Sequence, residues 1–146
     1  MIGDGMGEIC ALGLDIGRKR IGLAGCDRLG LTAIELPTLT RTTWEDDLAV
    51  LQQVVSDRHI NQLVIGVPYL EDGSLGKQAQ RTKKQGRKIG RALEIPIVWV
   101  DERCTSVTAE SILRDRGINP AFNRDRIDGL AAVLILQGWL DEQRQG

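Results

Sequence analysis

The chain has 146 residues, of which 42% are hydrophobic and 27% are charged, and its formal net charge at pH 7 is −1. This composition is ordinary for a globular domain, and no stretch approaches the ~20 apolar residues needed to span a bilayer. The near-zero net charge excludes a uniformly basic nucleic-acid-binding protein, so any surface that binds nucleic acid must be local.

We expect a single domain over residues 8–142, between a flexible N-terminal tail (1–7) and a C-terminal tail (143–146). A chain of this length buries roughly 68% of its unfolded surface, enough for one sheet covered by helices. The N-terminal stretch has no basic region followed by an apolar run, so we expect no signal peptide and a cytoplasmic location. The cysteines form no C-x-x-C pair, which argues against a disulfide framework or a zinc site. They are Cys10, Cys26 and Cys104.

Three strands are predicted at the start of the chain. Ile9–Leu14 is typical of a buried strand, and Arg20–Cys26 of a second one. The connection between them is short and contains Gly17, which favours an antiparallel hairpin. Leu31–Leu39 is the third predicted strand, and Pro37 indicates an edge or a bend near its end.

Helices and strands alternate in the middle of the chain. Thr42 and Glu45 have the spacing of a capping box, and apolar residues follow at helical intervals, which predicts a helix that ends near His59. The apolar run Leu63–Val67 predicts a buried strand that ends in a loop. The long polar helix after this loop is expected to end at about Leu93.

The C-terminal part adds one strand and two helices. Ile97–Val100 is the next predicted strand, Thr105 can cap a helix that stops at Gly117, and the last helix is predicted over Asp125–Glu142. The predicted inner stripe of that last helix consists of Ile127, Leu130, Ala131 and Leu134. Three hairpin strands followed by helix-crossed strands predict an α/β fold with a five-stranded mixed sheet, three strands antiparallel and then two parallel, flanked by helices.

Several carboxylates stand at the ends of these elements. Asp15 lies where the first strand is expected to end, in apolar surroundings that make a lone charge costly unless something neutralises it. Asp101 and Glu102 follow the fifth strand, and since adjacent strand residues face opposite sides, only one of them can point to a given site. Asp128 lies near the start of the last helix. Each has a structural alternative, which is a turn hydrogen bond, a polar loop or a favourable helix dipole, respectively.

Together, Asp15, Glu102 and Asp128 form a candidate site for divalent metal ions. Mg²⁺ or Mn²⁺ prefers hard carboxylate oxygens and leaves other positions to water or phosphate. Two such ions can stabilise both the attacking and the leaving oxygen of phosphodiester hydrolysis, which needs no serine, cysteine or histidine nucleophile. The single histidine, His59, is expected at the surface and away from these residues.

A helix rich in basic residues is the second candidate feature. No acid occurs between Ser74 and Leu93, and the helical period places several cations on one side, where they could follow a phosphate backbone. The alternative is a solvated helix face. The cations of this predicted nucleic-acid-binding row are Lys77, Arg81, Lys84 and Lys88, and the cations near Asp15 are Arg18, Lys19 and Arg20.

Four ordered segments resemble the YqgF family of Holliday-junction-resolvase-like proteins, which are also described as pre-16S rRNA nucleases. The similar segments are Leu14–Ala24, Val64–Pro68 with Asp72–Ser74, Asp101–Ser106, and Asp128–Gln137. The resemblance implies a ribonuclease-H-like fold. It also implies that Asp15, Glu102 and Asp128 are the metal-binding carboxylates, which favours Glu102 over Asp101. Arg103, in the third segment, joins the predicted nucleic-acid-binding residues.

The leading functional hypothesis is a metal-dependent endonuclease that processes the 5′ end of pre-16S rRNA. The first alternative is a Holliday-junction resolvase, for which a symmetric dimer would suit the two-fold symmetry of the substrate, and the sequence leaves monomer and homodimer open. A second alternative is ATP binding, because Asp15-Ile16-Gly17 also resembles the phosphate loop of actin-like and sugar-kinase ATPases, although the chain has length for only one of their two domains. A third is a noncatalytic RNA-binding factor.

Overall fold

A central sheet of five strands organises the protein, in a computed structural model that describes residues 9–27, 29–102, 111–119, 121 and 123–145. The strands are β1 (Ala11–Ile16), β2 (Arg20–Cys26), β3 (Ala33–Thr40), β4 (Gln62–Val67) and β5 (Ile97–Asp101). The helices are α1 (Trp44–Arg58), α2 (Lys77–Leu93), α3 (residues 111–115) and α4 (Arg124–Gln145). None of the described helices combines the length and the apolar composition that a membrane-spanning segment requires.

The strand order is β3-β2-β1-β4-β5. β2 pairs antiparallel with both β1 and β3, whereas β4 pairs parallel with both β1 and β5. The hairpin turns and the helical crossovers therefore produce the mixed sheet that the sequence predicts, with three antiparallel strands followed by two parallel ones.

Alternation along β1 divides the core into two layers. Leu12 and Leu14 belong to a cluster on the side of α1 and α2, together with Leu51 and Ile89. Ala11 belongs to a second cluster on the side of α4. Because successive strand side chains point to opposite faces, each odd-numbered residue of β1 faces α4. The parity of a residue, that is, whether its position along the strand is odd or even, therefore decides which face of the sheet its side chain occupies.

Four strands differ in their limits from the prediction, β4 and β5 by one residue at one end and β1 and β3 at both ends. β1 begins and ends two residues later than expected, so Asp15 lies within the strand, opposite Gly22 of β2, and not beyond its end. β3 is an edge strand whose pairing shifts between Ile21 and Leu23, which places an extra residue in β3 near Pro37. The predicted edge or bend at this proline is confirmed, because proline cannot donate to the ladder.

The predicted capping box of α1 is wrong by one residue. The N-cap is Thr43 rather than Thr42, and its hydroxyl accepts a hydrogen bond from the backbone N–H of Asp46 (3.1 Å). Thr42 instead donates its backbone N–H to Asp47 (3.0 Å). Two consecutive threonines precede three consecutive acids in this region, so spacing alone fits either register. The helix ends where predicted, at exposed His59, which adopts a left-handed conformation.

Half of the predicted stripe of α4 is confirmed, because Ile127 and Ala131 are buried. Leu130 and Leu134 are only partly buried and pack near Leu113 and Ile127. The residues that pack on the sheet are Ala132, Ile135, Leu136, Trp139 and Leu140. α4 also runs to Gln145, so residues 143–145 belong to the helix and not to the expected tail. The predictions for Arg103, Cys104 and Thr105 fall outside the described residues, whereas Gly117 has the positive φ (76°) expected at a helix end.

Candidate metal centre and nucleic-acid groove

Asp15 is held by the sheet on the face that α4 covers. It is the fifth residue of β1 and pairs with Gly22, and its parity places it on the same side as Ala11 and Gly13. A Cβ atom at Gly13 would come within 2.8 Å of the Leu136 Cβ of α4, so the helix packs closely on this face. Asp15 is consequently half-buried beside α4.

Glu102 follows β5 on the same face. Val98 and Val100 pack in the cluster beside α4, and Glu102 continues their parity, whereas Asp101 has the opposite parity and is exposed. The Glu102 backbone N–H donates to the carbonyl of Val67 at the end of β4 (3.1 Å). The geometry thus brings Glu102, and not Asp101, to Asp15, in agreement with the preference drawn from the family resemblance.

A glycine in β4 makes room for the Glu102 side chain. A Cβ atom at Gly66 would lie 2.9 Å from the Glu102 carboxyl carbon and 3.0 Å from Oε2. A glycine inside a strand often marks such a close approach. A glycine within a predicted strand is the one signal in the sequence that could point to Gly66, which was not among the predicted site residues.

Asp15 and Glu102 are hydrogen-bonded to each other, and both pKa values are raised. Burial, followed by the charge of Asp128, raises the pKa of Asp15 to about 6. Burial and the charges of Asp15 and Asp101, with the hydrogen bond, raise the pKa of Glu102 to about 9. At neutral pH the Glu102 carboxyl is therefore protonated and donates a hydrogen bond to the Asp15 carboxylate. The two groups share one proton because two negative charges so close together would be costly in this environment.

Asp128 completes the group of carboxylates and is bound by an arginine. Arg20 at the start of β2 donates from Nε to Asp128 Oδ2 (2.9 Å). Asp128 lies close enough to Asp15 for its charge to raise the Asp15 pKa. Gly22 permits this approach, because a Cβ atom there would overlap the backbone carbonyl oxygen of Asp128. Arg20, predicted to bind nucleic acid, thus contacts the third carboxylate directly.

The donor set suits a hard divalent cation at Asp15 and Glu102. Both offer carboxylate oxygens, and the raised pKa values show that positive charge would be favourable between them. Within the described residues, no group of three or more histidine, cysteine or acidic side chains stands in ligand geometry. Arg20, bound to Asp128, keeps the third carboxylate of the predicted set in an ion pair.

The predicted basic residues divide between the two faces of the sheet. One part lines a groove of about 890 Å³ between the β1–β2 turn, the start of α1, and α2. The predicted cations in this groove are Arg18, Arg81, Lys84 and Lys88. Ile16 also lines it, and its parity is opposite to that of Asp15, so the groove lies on the face of the sheet away from α4. Lys19 and Lys77 are exposed, and neither is among the lining residues.

Arg41 joins the three elements around the groove, although it was not among the predicted site residues. Its guanidinium donates to the carbonyl of Gly17 (2.7 Å) and to the side-chain oxygen of Gln85 (3.0 Å). It also lies 3.9 Å from the carboxylate of Asp47. These partners come from the β1–β2 turn, α2 and α1, and no local spacing in the sequence indicates such a contact.

Comparison with known protein families gives a match along almost the whole domain. The family model described as RuvX, Holliday junction resolvase, matches residues 9–142. A relative from Acaryochloris marina is 49% identical over 138 residues, which cover 94% of this chain and 96% of the relative. A relative from Picosynechococcus sp. is 51% identical over 139 residues, covering 95% and 96%. Both carry the name "Putative pre-16S rRNA nuclease".

Solved structures share the fold at low sequence identity. RuvC of T. thermophilus in complex with a Holliday junction substrate aligns with a TM-score of 0.54 and 12% identity, covering 93% of this chain and 96% of that one. The large terminase nuclease of thermophilic phage G20c with bound zinc aligns with a TM-score of 0.50 and 15% identity, covering 89% and 80%. The fold is therefore ribonuclease-H-like, as the family resemblance implies.

Proposed function

Because this chain belongs to the RuvX family, we propose that it is a nuclease that hydrolyses phosphodiester bonds of pre-16S rRNA with divalent metal ions. The observation that supports the chemistry is the pair of half-buried, proton-sharing carboxylates Asp15 and Glu102 on the face covered by α4. The relatives' names supply the substrate class, and 5′-end processing of the precursor is the reaction we infer from the family resemblance.

Three carboxylates would hold the metal in this proposal. Asp15 is fixed by its pairing in the β1–β2 ladder, and Glu102 by the hydrogen bond from its backbone N–H to Val67. Asp128 would be the third ligand, and Arg20 orients its carboxylate beside Asp15. A bound Mg²⁺ or Mn²⁺ would stabilise the negative charge that develops on the phosphodiester during hydrolysis.

The predicted cations supply the contacts with nucleic acid. Exposed Lys19 and Lys77 would contact phosphates in a salt-sensitive manner, and Arg103 stays part of the proposed set by its position in the third similar segment. We also keep as proposals a single catalytic domain over residues 8–142, a cytoplasmic location, and a monomer or homodimer.

Replacement of Asp15 by asparagine tests the proposed metal site. Asp15→Asn preserves the size of the side chain but removes a ligand charge, so we expect metal-dependent cleavage of a pre-16S rRNA fragment to fall about a hundredfold or more. RNA binding and folding should persist. The matched control is Asp57→Asn on the exposed face of α1, which should cleave at the wild-type rate. Unchanged cleavage by Asp15→Asn would refute the assigned role of Asp15.

The family description favours one alternative substrate, a four-way DNA junction. The same carboxylates would serve both reactions, so the substrates must be compared directly. We expect the purified protein, with Mg²⁺ and with Mn²⁺, to cleave precursor rRNA faster than a four-way junction. Faster cleavage of the junction would establish the resolvase alternative. Inactivity on both substrates, with RNA binding intact, would favour a noncatalytic RNA-binding factor.

A further inference from the structure

The groove on the α1–α2 face contains cations that have no partner in the part of the protein that the structure describes. Among the described residues, the side chains of Arg18, Arg81 and Lys84 make no hydrogen bond or ion pair, and all three are exposed. By contrast, Lys88 lies over the ring of Trp44, with Nζ 4.1 Å from the ring centroid. Three cations that converge on one groove without acidic partners create a local positive potential in a protein whose net charge is −1.

The acid in the groove does not cancel this potential. Asp47 is the one acid among the described residues that line it. Its carboxylate lies 3.9 Å from Arg41 and accepts a hydrogen bond from the backbone N–H of Thr42. Its charge is therefore already opposed by Arg41. Arg41 in turn donates hydrogen bonds to Gly17 of the β1–β2 turn and to Gln85 of α2, so protein contacts hold the walls of the groove together.

The groove lies on the opposite face of the sheet from the carboxylates, but close to them along the chain. Arg18 in the β1–β2 turn lines the groove, and Asp15 is three residues earlier, so their Cα atoms are within about 11 Å. Arg20, two residues after Arg18, contacts Asp128 on the other face. The β1–β2 turn is therefore the edge where the groove and the carboxylates meet.

We propose that this groove binds the phosphate backbone of an unpaired nucleic-acid segment adjoining the bond that is cleaved, and that the strand passes over the β1–β2 turn to reach Asp15. The inference rests on the proposed function for the position of the cleaved bond. The volume of about 890 Å³ lies within the range of small-molecule pockets, which suits a few unpaired nucleotides. Arg18, Arg81 and Lys84 would contact successive phosphates.

Charge reversal at Lys84 tests binding separately from cleavage. We expect Lys84→Glu to weaken binding of a labelled 12-nucleotide oligo-uridine to the metal-free protein about tenfold, and to reduce the salt slope by roughly 0.7 for each phosphate that the variant no longer neutralises. The matched control is Arg87→Glu, which makes the same change of charge on the same helix. Arg87 lies near Trp99 and outside the groove, and its charge is screened over ~8 Å at physiological salt. The affinity of Arg87→Glu for the oligo-uridine should therefore lie within about twofold of the wild-type value.

Equal reductions of affinity in Lys84→Glu and Arg87→Glu would refute the proposed binding site in the groove, because the affinity would then depend only on the overall charge of the protein. Oligo-thymidine in a parallel titration tells whether the groove prefers RNA or accepts any single strand. In cleavage assays the Lys84→Glu defect should appear mainly in KM. The binding test and the test of the metal site can fail separately. Wild-type cleavage by Asp15→Asn would refute Asp15 as a metal ligand but would not affect the result of the binding experiment. Equal losses of binding in Lys84→Glu and Arg87→Glu would refute the groove but would not affect the cleavage result for Asp15→Asn.

Discussion

The burial of Asp15 and Glu102 beside each other has a cost for the folded protein. A carboxyl group whose pKa rises on folding must take up a proton or remain charged in an unfavourable environment. The pKa of Glu102 rises from 4.5 to about 9, so at pH 8 folding is coupled to proton uptake at this residue. Without metal, its contribution to stability is therefore most favourable below pH 4.5 and is lost as the pH rises toward 9.

Glu102→Gln removes this pH-dependent cost while it retains a donor for Asp15. We expect the variant, in the presence of a chelator at pH 8, to have a Tm at least about 3 °C above wild type, since 1 kcal/mol shifts Tm by about 2–4 °C in a chain of this size. At pH 4.5 the two proteins should unfold at nearly the same temperature. Thermal unfolding followed by circular dichroism at both pH values provides the measurement.

The control for this effect is Glu142→Gln, a change of the same type on the exposed side of α4. Its Tm should differ from wild type by the same small amount at both pH values. A lower Tm for Glu102→Gln than for wild type at pH 8 would contradict the burial of an uncompensated acid at this position.

At the scale of elements, glycines on three neighbouring strands set the position of α4. Gly13 of β1, Gly22 of β2 and Gly66 of β4 all face this helix. A Cβ atom at any of the three would come too close to an atom of α4, and at Gly66 also to the carboxyl group of Glu102. Close contact of α4 with the sheet is what brings Asp128 near Asp15. The glycines therefore contribute to the site through the packing of a helix, and not through any chemistry of their own.

Gly22→Ala should displace Asp128. The added methyl group would overlap the Asp128 carbonyl, and overpacking of this kind costs about 1–3 kcal/mol. We expect a lower Tm and, at a temperature where the variant is fully folded, a decrease in cleavage larger than the decrease in RNA binding. The control is Gly138→Ala on α4, where a Cβ atom meets nothing within 4 Å and alanine favours a helix. Cleavage at the wild-type rate by folded Gly22→Ala would show that Asp128 needs no such placement.

The elements with regular patterns were predictable, and the contacts between them were not. β2 has the limits that the sequence predicts, because turn residues stand on both sides of its apolar run. The predicted end of β1 is wrong because charged Asp15 resembles the end of a strand, whereas its partner Gly22 extends the ladder. Period-2 patterns identify strands, but a carboxylate that serves a site interrupts the pattern.

Long-range placement explains the remaining differences in the site. Arg20 and Asp128 are 108 residues apart in the chain, and nothing near either residue predicts their ion pair. The packed face of α4 extends beyond Ile127 and Ala131 of the predicted stripe, because Ala132, a small residue, also packs deeply, beside Gly13 of β1. The family resemblance favours Glu102 over Asp101. The physical reason is that Glu102 continues the side of β5 that faces α4, whereas Asp101 lies on the other side. This distinction requires the position at which β5 ends, which the sequence alone does not define.

At the scale of the whole molecule, the sheet separates two kinds of charge. The α4 face holds Asp15 and Glu102, whose pKa values are raised by burial and by neighbouring acids. The α1–α2 face holds the groove cations, of which Arg18, Arg81 and Lys84 have no partner among the described residues. The net charge of the chain is only −1, so neither feature is visible in the composition. A cation bound to the carboxylates should therefore change the stability of the whole fold, because it removes an electrostatic cost that folding alone incurs.

Mn²⁺ should raise the Tm of the wild-type protein at pH 8, because a ligand that binds only the folded state adds RT ln(1 + [L]/Kd), which is about 2.7 kcal/mol when the ion is a hundredfold above its Kd. The shift should shrink at pH 5, where protons compete for Asp15 and Glu102. Asp15→Asn should lose most of the Mn²⁺-induced rise in Tm. Glu102→Gln should also lose most of this rise, although its Tm in chelator should be higher than that of wild type. A nonspecific salt effect cannot produce both results. Equal Mn²⁺ shifts in wild type and both variants would mean that the ion stabilises the protein at another position.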